Sequence, residues 1–479
     1  MAKLYEECGI FGISRQSNKD VALDTYFALN ALQHRGQESC GMVVSDGRTF
    51  NLFTAAGVVS DVVREETLAM LGEGSLCIGH VRYGSDRERG LINAQPVVVD
   101  HLNGRMALAN NGALVNYMAL RREYEAQGSI FHSTGDAEVI ASAVTHERLR
   151  ADSLEQAVLG AMNRLRGSYS MVIMTPEKLI AVRDPLGLKP LCFGQREDGA
   201  FIVASESCAL DAVGAEFIRD LKPGEMLVFE NGVMRAYLSN CTGDRPSRLC
   251  AFEYIYFARP DSVMDGQSVH DVRLRAGERL ANEHPTQADL VIGVPDSGID
   301  AAIGFARASK IPYGLGFIKS KYIARTFISP DQESRERGVR IKLNVIAGAV
   351  RGKRVILVDD SIVRGTTSRK IVALLREAGA TGVHMRVTAP PFLNPCFYGT
   401  DIKSRENLIA CKLTVEEIAR EIGADSLGYL SVDGLKALTG EKGPGLCAAC
   451  FDGRYPTNVP QAPELERIAG RPMRTGETI

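Results

Sequence analysis

The chain has 479 residues, a formal net charge of −2 and an apolar content of 45%. This charge provides no basic surface for nucleic acid or anionic membrane, and no apolar run reaches the roughly 18 residues that span a bilayer. The N-terminus lacks a signal-peptide core, and eleven cysteines, an odd count, argue against a disulfide scaffold. We therefore expect a cytoplasmic protein with reduced thiols, some of them serving metal binding or catalysis.

The first part of the chain, to about residue 238, predicts an α+β domain with many strands. Strand-like runs occupy residues 8–13, 40–44, 76–81, 106–109, 169–174, 180–183 and 201–204. Helical patterns occupy residues 21–33, 136–150 and 153–165. The polar stretch 239–248 then indicates a domain boundary.

Strands and helices alternate regularly in the second part. Strands are predicted at residues 290–294, 313–318, 355–358 and 383–388, and helices at 272–283, 299–309 and 369–378. This alternation predicts a parallel, doubly wound sheet with ligand sites at the carboxyl ends of its strands. The long charged connection 325–343 is either a mobile lid or a solvated surface loop.

Two turns at strand ends are candidate anion sites. The strand 355–358 leads into Asp359 and Asp360, and a loop rich in small residues then precedes a helix: Arg364, Gly365, Thr366, Thr367 and Ser368. Such a loop lets amides and hydroxyls bind a phosphate, while adjacent carboxylates suit ribose hydroxyls or a divalent cation. The pattern therefore predicts a phosphorylated sugar. Asp296, Ser297 and Gly298 close an earlier strand and form either a second anion loop or a simple turn.

These two segments resemble the phosphoribosyl pyrophosphate motif of type I phosphoribosyltransferases. The resemblance implies that Asp359 and Asp360 bind the ribose hydroxyls and Mg²⁺. It implies that the backbone of residues 364–368 holds the 5-phosphate. It also implies that residues 296–298 hold pyrophosphate, with Ser297 near the metal.

Cys8 is a candidate nucleophile because only seven residues precede it. If they were removed, Cys8 would carry a free α-amino group with a pKa of about 7.7–8.0, able to act as the general base of its own thiol. Taken alone, a small buried cysteine on an apolar strand is the more common case.

Four further motifs, at residues 33–39, 79–83, 110–112 and 135–138, resemble class II glutamine amidotransferases. The resemblance implies an N-terminal nucleophile (Ntn) hydrolase fold, an αββα sandwich. In it Arg82 holds the glutamine α-carboxylate, Asp136 holds the α-ammonium group, and Asn111 with the Gly112 N–H forms the oxyanion hole. Considered singly, Arg82 or Asp136 is more often a structural ion-pair member. Residues 84–90 depart from the family, which has small residues in this glutamine-covering loop.

From residue 6 to about 455 the chain resembles the amidophosphoribosyltransferase family. The resemblance implies a glutamine-dependent synthesis of 5-phosphoribosylamine in purine biosynthesis, a homotetramer, and feedback inhibition by purine nucleotides. It implies a propeptide (1–7), an amidotransferase domain (8–240), a phosphoribosyltransferase domain with a C-terminal extension (250–455) and a polar tail (456–479). The alternatives are a non-catalytic purine regulator that binds phosphoribosyl pyrophosphate, and a glutaminase with another acceptor.

Four cysteines form the last candidate site. The pair Cys447 and Cys450 could by itself be redox-active, half a zinc site or incidental. Together with Cys250 and Cys396 it resembles the ligand set of the iron–sulfur subtype of this family, which implies a [4Fe–4S] cluster. The spacing by itself leaves Zn²⁺ open.

Overall fold

The computed structural model describes residues 8–84, 91–241, 247–320, 343–402, 404–440 and 443–459. The predicted propeptide, residues 85–90 of the atypical loop, and residues 325–342 of the predicted lid lie outside the described residues. So does the tail from residue 460 onward. The predicted domain boundaries stay predictions.

The first half is built from two layers of strands and a set of flanking helices. Its strands are β1 (Gly9–Lys19), β2 (Ser39–Ser45), β3 (Phe50–Ala56), β4 (Gly74–Arg82), β5 (Val97–His101), β6 (Gly104–Leu114), β7 (Gly167–Met174), β8 (Lys178–Arg183), β9 (Cys192–Gln195), β10 (Phe201–Ala204), β11 (Glu216–Asp220), β12 (Met226–Glu230) and β13 (Val233–Tyr237). Its helices are α1 (Val21–Ala31), α2 (Val59–Val62), α3 (Glu65–Leu71), α4 (Tyr117–Ala126), α5 (Asp136–Arg148), α6 (Leu154–Arg164) and α7 (Ser207–Ala212).

These elements form a four-layered αββα sandwich. One antiparallel sheet has the order β11-β9-β10-β1-β4-β2-β3, and the other has the order β13-β12-β8-β7-β6-β5. The alternation of side chains along β1 decides which layers it joins. Phe11 and Ile13 pack toward α1 and α7, whereas Ile10 packs between the two sheets. Helices α5 and α6 cover the outer face of the second sheet. The Ntn hydrolase fold predicted for this half is thereby confirmed.

Helix α5 illustrates why these segments take their places. Ala137, Ile140, Ala141 and Val144 recur at helical spacing and are all buried in the core beneath the second sheet. Burying this apolar stripe fixes the rotation of the helix about its axis. Its first residue, Asp136, is consequently directed toward the end of β6.

The second half contains shorter elements around a parallel sheet. Its strands are β14 (Arg248–Cys250), β15 (Val263–Met264), β16 (Gln267–Ser268), β17 (Leu290–Gly293), β18 (Phe317–Lys319), β19 (Leu343–Val345), β20 (Arg354–Asp359), β21 (Gly382–Val387), β22 (Ser426–Tyr429) and β23 (Gly445–Cys447). Its helices are α8 (Val269–Glu283), α9 (Gly298–Ser309), α10 (Ala347–Val350), α11 (Thr366–Glu377), α12 (Val415–Ile422), α13 (Val432–Lys436) and α14 (Ala449–Asp452).

The parallel sheet has the order β17-β20-β21-β22. Residues 312–314 run beside β17 on its other side, since Val291 N–H donates to Pro312 O at 2.8 Å and Gly314 N–H donates to Val291 O at 3.0 Å. If this segment is counted as a strand and the five strands are numbered in chain order within the sheet, their spatial order is 2-1-3-4-5. The direction of winding therefore changes between β17 and β20. Ligands of doubly wound sheets bind at such a switch point. The predicted doubly wound sheet is confirmed.

The predicted strand 313–318 is wrong as a single element. Tyr313 makes only an isolated bridge to Val291, and the strand proper is β18, which pairs antiparallel with β19. Two glycines explain the break. A Cβ on Gly314 would lie 2.9 Å from Leu290, and one on Gly316 would lie 2.7 Å from Ile292. The chain passes too close to β17 for side chains at these positions, and glycine weakens a regular strand.

Candidate active sites

Cys8 lies directly before β1, at the end of the first sheet where β4 finishes. Because β1 and β4 are antiparallel and Gly9 is opposite Val81, the start of one strand meets the end of the other. The Cys8 Sγ is 3.7 Å from the Tyr83 carbonyl oxygen, and Cys8 is partly exposed. The pairing of these two strands therefore brings the predicted nucleophile to the end of β4, where Arg82 lies.

A fully buried arginine holds the backbone of the nucleophile. Arg35 Nε donates to the Cys8 carbonyl at 3.0 Å, and its other nitrogens contact Glu206 at 2.6 Å and Glu253 at 2.9 and 3.0 Å. His34 Nε2 lies 2.7 Å from Glu206. Burial opposes ionisation of Glu206, but the charges and hydrogen bonds of His34 and Arg35 prevail and lower its pKa. Glu206 therefore stays ionised and anchors Arg35.

The predicted oxyanion residues lie in β6, on the facing sheet. Asn111 is 1% exposed, and its Nδ2 atom has no hydrogen-bond partner among the described residues. A buried donor without a partner costs about 1–3 kcal/mol unless an acceptor arrives. Gly112 has φ of 146°, and a Cβ there would lie 2.2 Å from Ser168 O. Glycine is required at this point of the strand, and Asn111 offers a donor to an incoming oxygen atom.

His80 fixes the approach of the two sheets at this point. Its Nε2 lies 3.2 Å from the Asn110 carbonyl oxygen, and the residue is fully buried. Burial lowers its pKa to about 3, so the imidazole is neutral. A neutral imidazole carrying its proton on Nε2 can donate to Asn110, which makes His80 part of the scaffold behind Asn111.

Arg82 and Asp136, the predicted glutamine ligands, both have protein partners. Arg82 donates to Glu38 Oε2 at 3.0 Å, and Glu38 is partly exposed. Asp136 Oδ2 accepts the Leu114 N–H at 2.5 Å. Arg82 therefore forms an ion pair within the protein, and Asp136 holds a backbone amide. Both are roles that a purely structural residue could have. Their contact with glutamine stays a prediction.

The acidic pair lies at the switch point of the parallel sheet. Asp360 accepts hydrogen bonds of 2.5 Å from Ser297 and from Ser361. The two residues that follow β21 hold the backbone of the acidic pair: Thr388 N–H donates to Asp359 O, and Ala389 N–H donates to Asp360 O. The structure thus brings Ser297 and Asp360, predicted on separate motifs, into direct contact.

The pyrophosphate loop candidate lies against this pair. A Cβ on Gly298 would lie 2.5 Å from Val358 O, so only glycine lets α9 begin this close to β20. The peptide bond between Pro295 and Asp296 is cis. Asp296 is mainly exposed and forms an ion pair with Lys319. The N-terminus of the 12-residue α9 therefore opens at the same edge of the sheet as the acidic pair.

The phosphate loop candidate opens α11. Gly365 precedes the helix with φ of 76°, and Ser368 is 3% exposed. Thr367 Oγ1 is buried and has no hydrogen-bond partner among the described residues. Arg364 and Thr366 are exposed. A helix N-terminus with an unpartnered buried hydroxyl suits a phosphate group.

The four cysteines of the last candidate site come together at the junction of the two halves. Cys250 and Cys447 are partners in the parallel pair β14–β23. The pKa of Cys450 is raised well above its ordinary value, first by burial and then by the charges of Cys396, Cys250 and Cys447. The amide of Tyr398 donates to Cys396 Sγ at 3.3 Å. Within the described ranges, no group of three or more His, Cys, Asp or Glu side chains is placed so that it could hold a metal ion. The binding of a metal group by these thiols therefore stays a prediction.

Sequence reasoning missed Arg35 and Glu253 as partners. Arg35 falls in the motif 33–39, and Glu253 is the only acid in the apolar run 249–258, which is the signal that could have found it. A charge amid such a run needs a buried partner. Its partner lies 218 residues away, and nothing local to the sequence could indicate which arginine that was.

Fold and sites together define a class, a glutamine amidotransferase joined to a phosphoribosyltransferase. Residues 88–212 match the glutamine amidotransferase domain family, and residues 266–404 match the phosphoribosyl transferase domain family. An amidophosphoribosyltransferase of Synechocystis is 49% identical over 97% of this chain and 93% of its own length. The Bacillus subtilis amidophosphoribosyltransferase is 46% identical over 97% of both chains.

Solved structures agree with these relatives. The Bacillus subtilis glutamine phosphoribosylpyrophosphate amidotransferase, complexed with ADP and GMP, has a TM-score of 0.87 at 46% identity over 95% of this chain and 98% of that one. A structure described as the allosteric regulatory enzyme of purine biosynthesis has a TM-score of 0.89 at 45% identity over 98% of this chain and 100% of that one. The chain belongs to the amidophosphoribosyltransferase family.

Membership confirms the predicted activity: the chain is an enzyme of the first step of purine biosynthesis, with glutamine and phosphoribosyl pyrophosphate as substrates. The alternatives of a non-catalytic regulator and of another acceptor are set aside. Among the described residues, no helix is both long and apolar enough to cross a membrane.

Proposed function

We propose that Cys8 attacks the side-chain amide of glutamine and that Asn111 and Gly112 stabilise the oxyanion that forms. The observation that carries this proposal is the buried Asn111 Nδ2, which has no hydrogen-bond partner within the described part of the chain. It belongs to β6, in the sheet that packs against the sheet containing β1. Removal of residues 1–7 would give Cys8 the α-amine that takes up its thiol proton and later passes it to the departing ammonia. Arg82 and Asp136 would orient the glutamine α-groups, with Arg82 exchanging Glu38 for the α-carboxylate.

Ammonia then displaces pyrophosphate at C1 of phosphoribosyl pyrophosphate to give 5-phosphoribosylamine. Asp359 and Asp360 would hold the ribose hydroxyls, and the loop from Arg364 to Ser368 would hold the 5-phosphate. Residues 296–298 would hold the pyrophosphate. This division is supported by the opening of both helix N-termini at one sheet edge, which leaves the acids between two anion sites.

Mg²⁺ suits the pair of oxygen-bearing groups at this edge. Ser297 Oγ lies 2.5 Å from Asp360 Oδ2. Hard cations are bound by carboxylate and hydroxyl oxygens such as these. Asp359, Asp360 and Ser297 would hold the ion, directly or through water. Bound there, it would neutralise charge on the departing pyrophosphate.

A [4Fe–4S] cluster on Cys250, Cys396, Cys447 and Cys450 is our proposal for the cysteine site. One support is that the charges of Cys396, Cys250 and Cys447 raise the pKa of Cys450, which requires the four thiols to lie near one another. Another is the hydrogen bond from the Tyr398 N–H to Cys396 Sγ. Bound there, the cluster would tie the C-terminal extension to the rest of the chain. Analysis of iron and sulfide in anaerobically purified protein tests it, and zinc without sulfide would contradict it.

We also propose a cytoplasmic homotetramer inhibited by purine nucleotides. No disulfide bond joins the cysteines of the described residues, which suits a reducing compartment. The Bacillus subtilis relative was solved with ADP and GMP. Sedimentation with and without these nucleotides, alongside inhibition assays, tests both expectations.

The decisive experiment compares glutamine-dependent and ammonia-dependent pyrophosphate release. Cys8→Ala should abolish the first and keep the second, because only the first needs the nucleophile. Cys411→Ala, which removes an exposed thiol, is the matched control and should keep both. Glutamine-dependent release by Cys8→Ala would overturn the assignment of the nucleophile.

A further inference from the structure

We propose that Ser168 is a positioning residue for the oxyanion hole, linking the strand of Asn111 and Gly112 to the loop that carries Cys396. The proposal rests on the oxyanion roles proposed above. Ser168 contributes no group to the reacting atoms. It acts by fixing the backbone that does.

The Ser168 side chain is fully buried between the two halves of the chain. Ser168 is the second residue of β7, where it stands opposite Ala113 of β6. Its Oγ accepts the Ala113 N–H at 3.0 Å and donates to the Tyr398 carbonyl oxygen at 2.8 Å. The Ala113 carbonyl, at 3.5 Å, is a poorer acceptor for the same proton. One hydroxyl therefore joins β6 to the second half of the chain.

This contact is one peptide away from the oxyanion hole. The Ala113 N–H belongs to the same planar peptide unit as the Gly112 carbonyl, so a bond that holds it restricts rotation about Gly112. Gly112 needs that restraint, since its φ of 146° belongs to a region where glycine is free to move. The next amide, Leu114 N–H, is held by Asp136. Side chains thus anchor the backbone immediately after Gly112.

The other end of the link is anchored beside the cysteine site. The Tyr398 N–H donates to Cys396 Sγ at 3.3 Å. The Tyr398 hydroxyl lies 2.8 Å from Thr457 Oγ1 and accepts the Thr457 N–H at 3.2 Å. Any displacement of this loop therefore moves the acceptor on which Ser168 depends. The Ser168 side chain thus connects this loop to the strand that carries Asn111 and Gly112.

The expected effect is on the rate of glutamine hydrolysis rather than on glutamine binding. Removing an oxyanion donor altogether costs about 10²–10³ in kcat. Ser168→Ala leaves the donors present and only loosens one of them, so we expect a kcat loss of about ten-fold. The proposed glutamine ligands Arg82 and Asp136 keep their places, so KM for glutamine should change by less than about two-fold.

The experiment compares Ser168→Ala with Ser45→Ala, in the full chain with saturating phosphoribosyl pyrophosphate and Mg²⁺. Ser45 is also fully buried and donates to a distant carbonyl, Pro176 O, at 2.9 Å. Glutamate release gives kcat and KM, while ammonia-dependent pyrophosphate release and the thermal midpoint report on the intact fold. We expect the kcat loss in Ser168→Ala alone, with ammonia-dependent activity unchanged in both variants.

Three outcomes would overturn the proposal: equal kcat in the two serine variants, a loss confined to KM, or a parallel loss of ammonia-dependent activity. If Ser168→Ala yields no folded protein, Tyr398→Phe tests the link from its other end. That variant keeps the carbonyl but loses the Thr457 contacts, and an unchanged glutaminase kcat would contradict the proposal. Activity retained by Cys8→Ala would instead refute the proposed function itself.

Discussion

Replacing Glu253 by glutamine should both destabilise the protein and slow its glutaminase reaction. Glu253 accepts two hydrogen bonds from Arg35, at 2.9 and 3.0 Å, and both side chains are fully buried. Arg35 also donates to the Cys8 carbonyl. The substitution therefore tests whether a charge at the junction of the two halves supports the nucleophile.

The magnitude follows from the bonds that are lost. Glutamine can still accept one bond through its oxygen, but its amide nitrogen faces another donor. One bond to a charged group, worth about 1.5–3 kcal/mol, is lost, and a buried donor is left without an acceptor. Since Arg35 keeps Glu206, the cost should lie at the lower end of the 3–5 kcal/mol typical of broken buried pairs, about 3 kcal/mol.

The assay is urea unfolding followed by far-UV circular dichroism, because the chain has no tryptophan to report by fluorescence. The matched control is Asp100→Asn. Asp100 also accepts two bonds from one arginine, Arg105, but that pair is exposed. The control should leave the unfolding transition unchanged, because exposed pairs contribute little. Glutamine-dependent activity should fall in Glu253→Gln and ammonia-dependent activity should fall less.

Coincident unfolding curves for the two variants would refute the reasoning. They would mean that the desolvation of Glu253 already offsets its attraction to Arg35. If Glu253→Gln is destabilised but keeps a normal glutaminase rate, the ion pair stabilises the fold without supporting the nucleophile.

Three further outcomes are expected. Burial lowers the pKa of His80 to about 3, whereas in the unfolded chain it is about 6.5. Between these two pH values only the unfolded chain takes up the proton. The free energy of unfolding should therefore fall by up to about 1.4 kcal/mol per pH unit as the pH drops from 6.5 toward 3. Acid unfolding of His80→Gln should be correspondingly less pH-dependent than that of exposed His132→Gln, and equal slopes would contradict this. Gly112→Ala should lose at least about 100-fold in glutaminase kcat, because its Cβ would meet Ser168 O, while ammonia-dependent synthesis survives. Thr367→Val should raise the KM for phosphoribosyl pyrophosphate about ten-fold or more without loss of thermal stability, since it removes a hydroxyl that has no partner in the described part of the chain; an unchanged KM would argue against its phosphate role.

The elements that carry the sites were predictable because their patterns are local. Strand β10 at residues 201–204 was predicted with its observed bounds, and α1, α5 and α6 were predicted to within about two residues at each end. The segment 313–318 failed because its two glycines serve the close approach to β17, a tertiary requirement that overrides the apolar pattern. The contact between Ser297 and Asp360 was expected only in outline, from two strand ends at one sheet edge.

The sequence by itself determined the chemistry: a cysteine near the N-terminus, an acidic pair before a small-residue loop, and the alternation that builds each sheet. These features can be recognised in the sequence because each depends only on residues within one turn or one strand. Tertiary structure alone decided which groups support them. Arg35 meets Glu206 and Glu253 across 171 and 218 residues, and Ser168 meets Tyr398 across 230. Such contacts depend on how sheets and domains pack, and buried polar groups must find their partners wherever packing brings them.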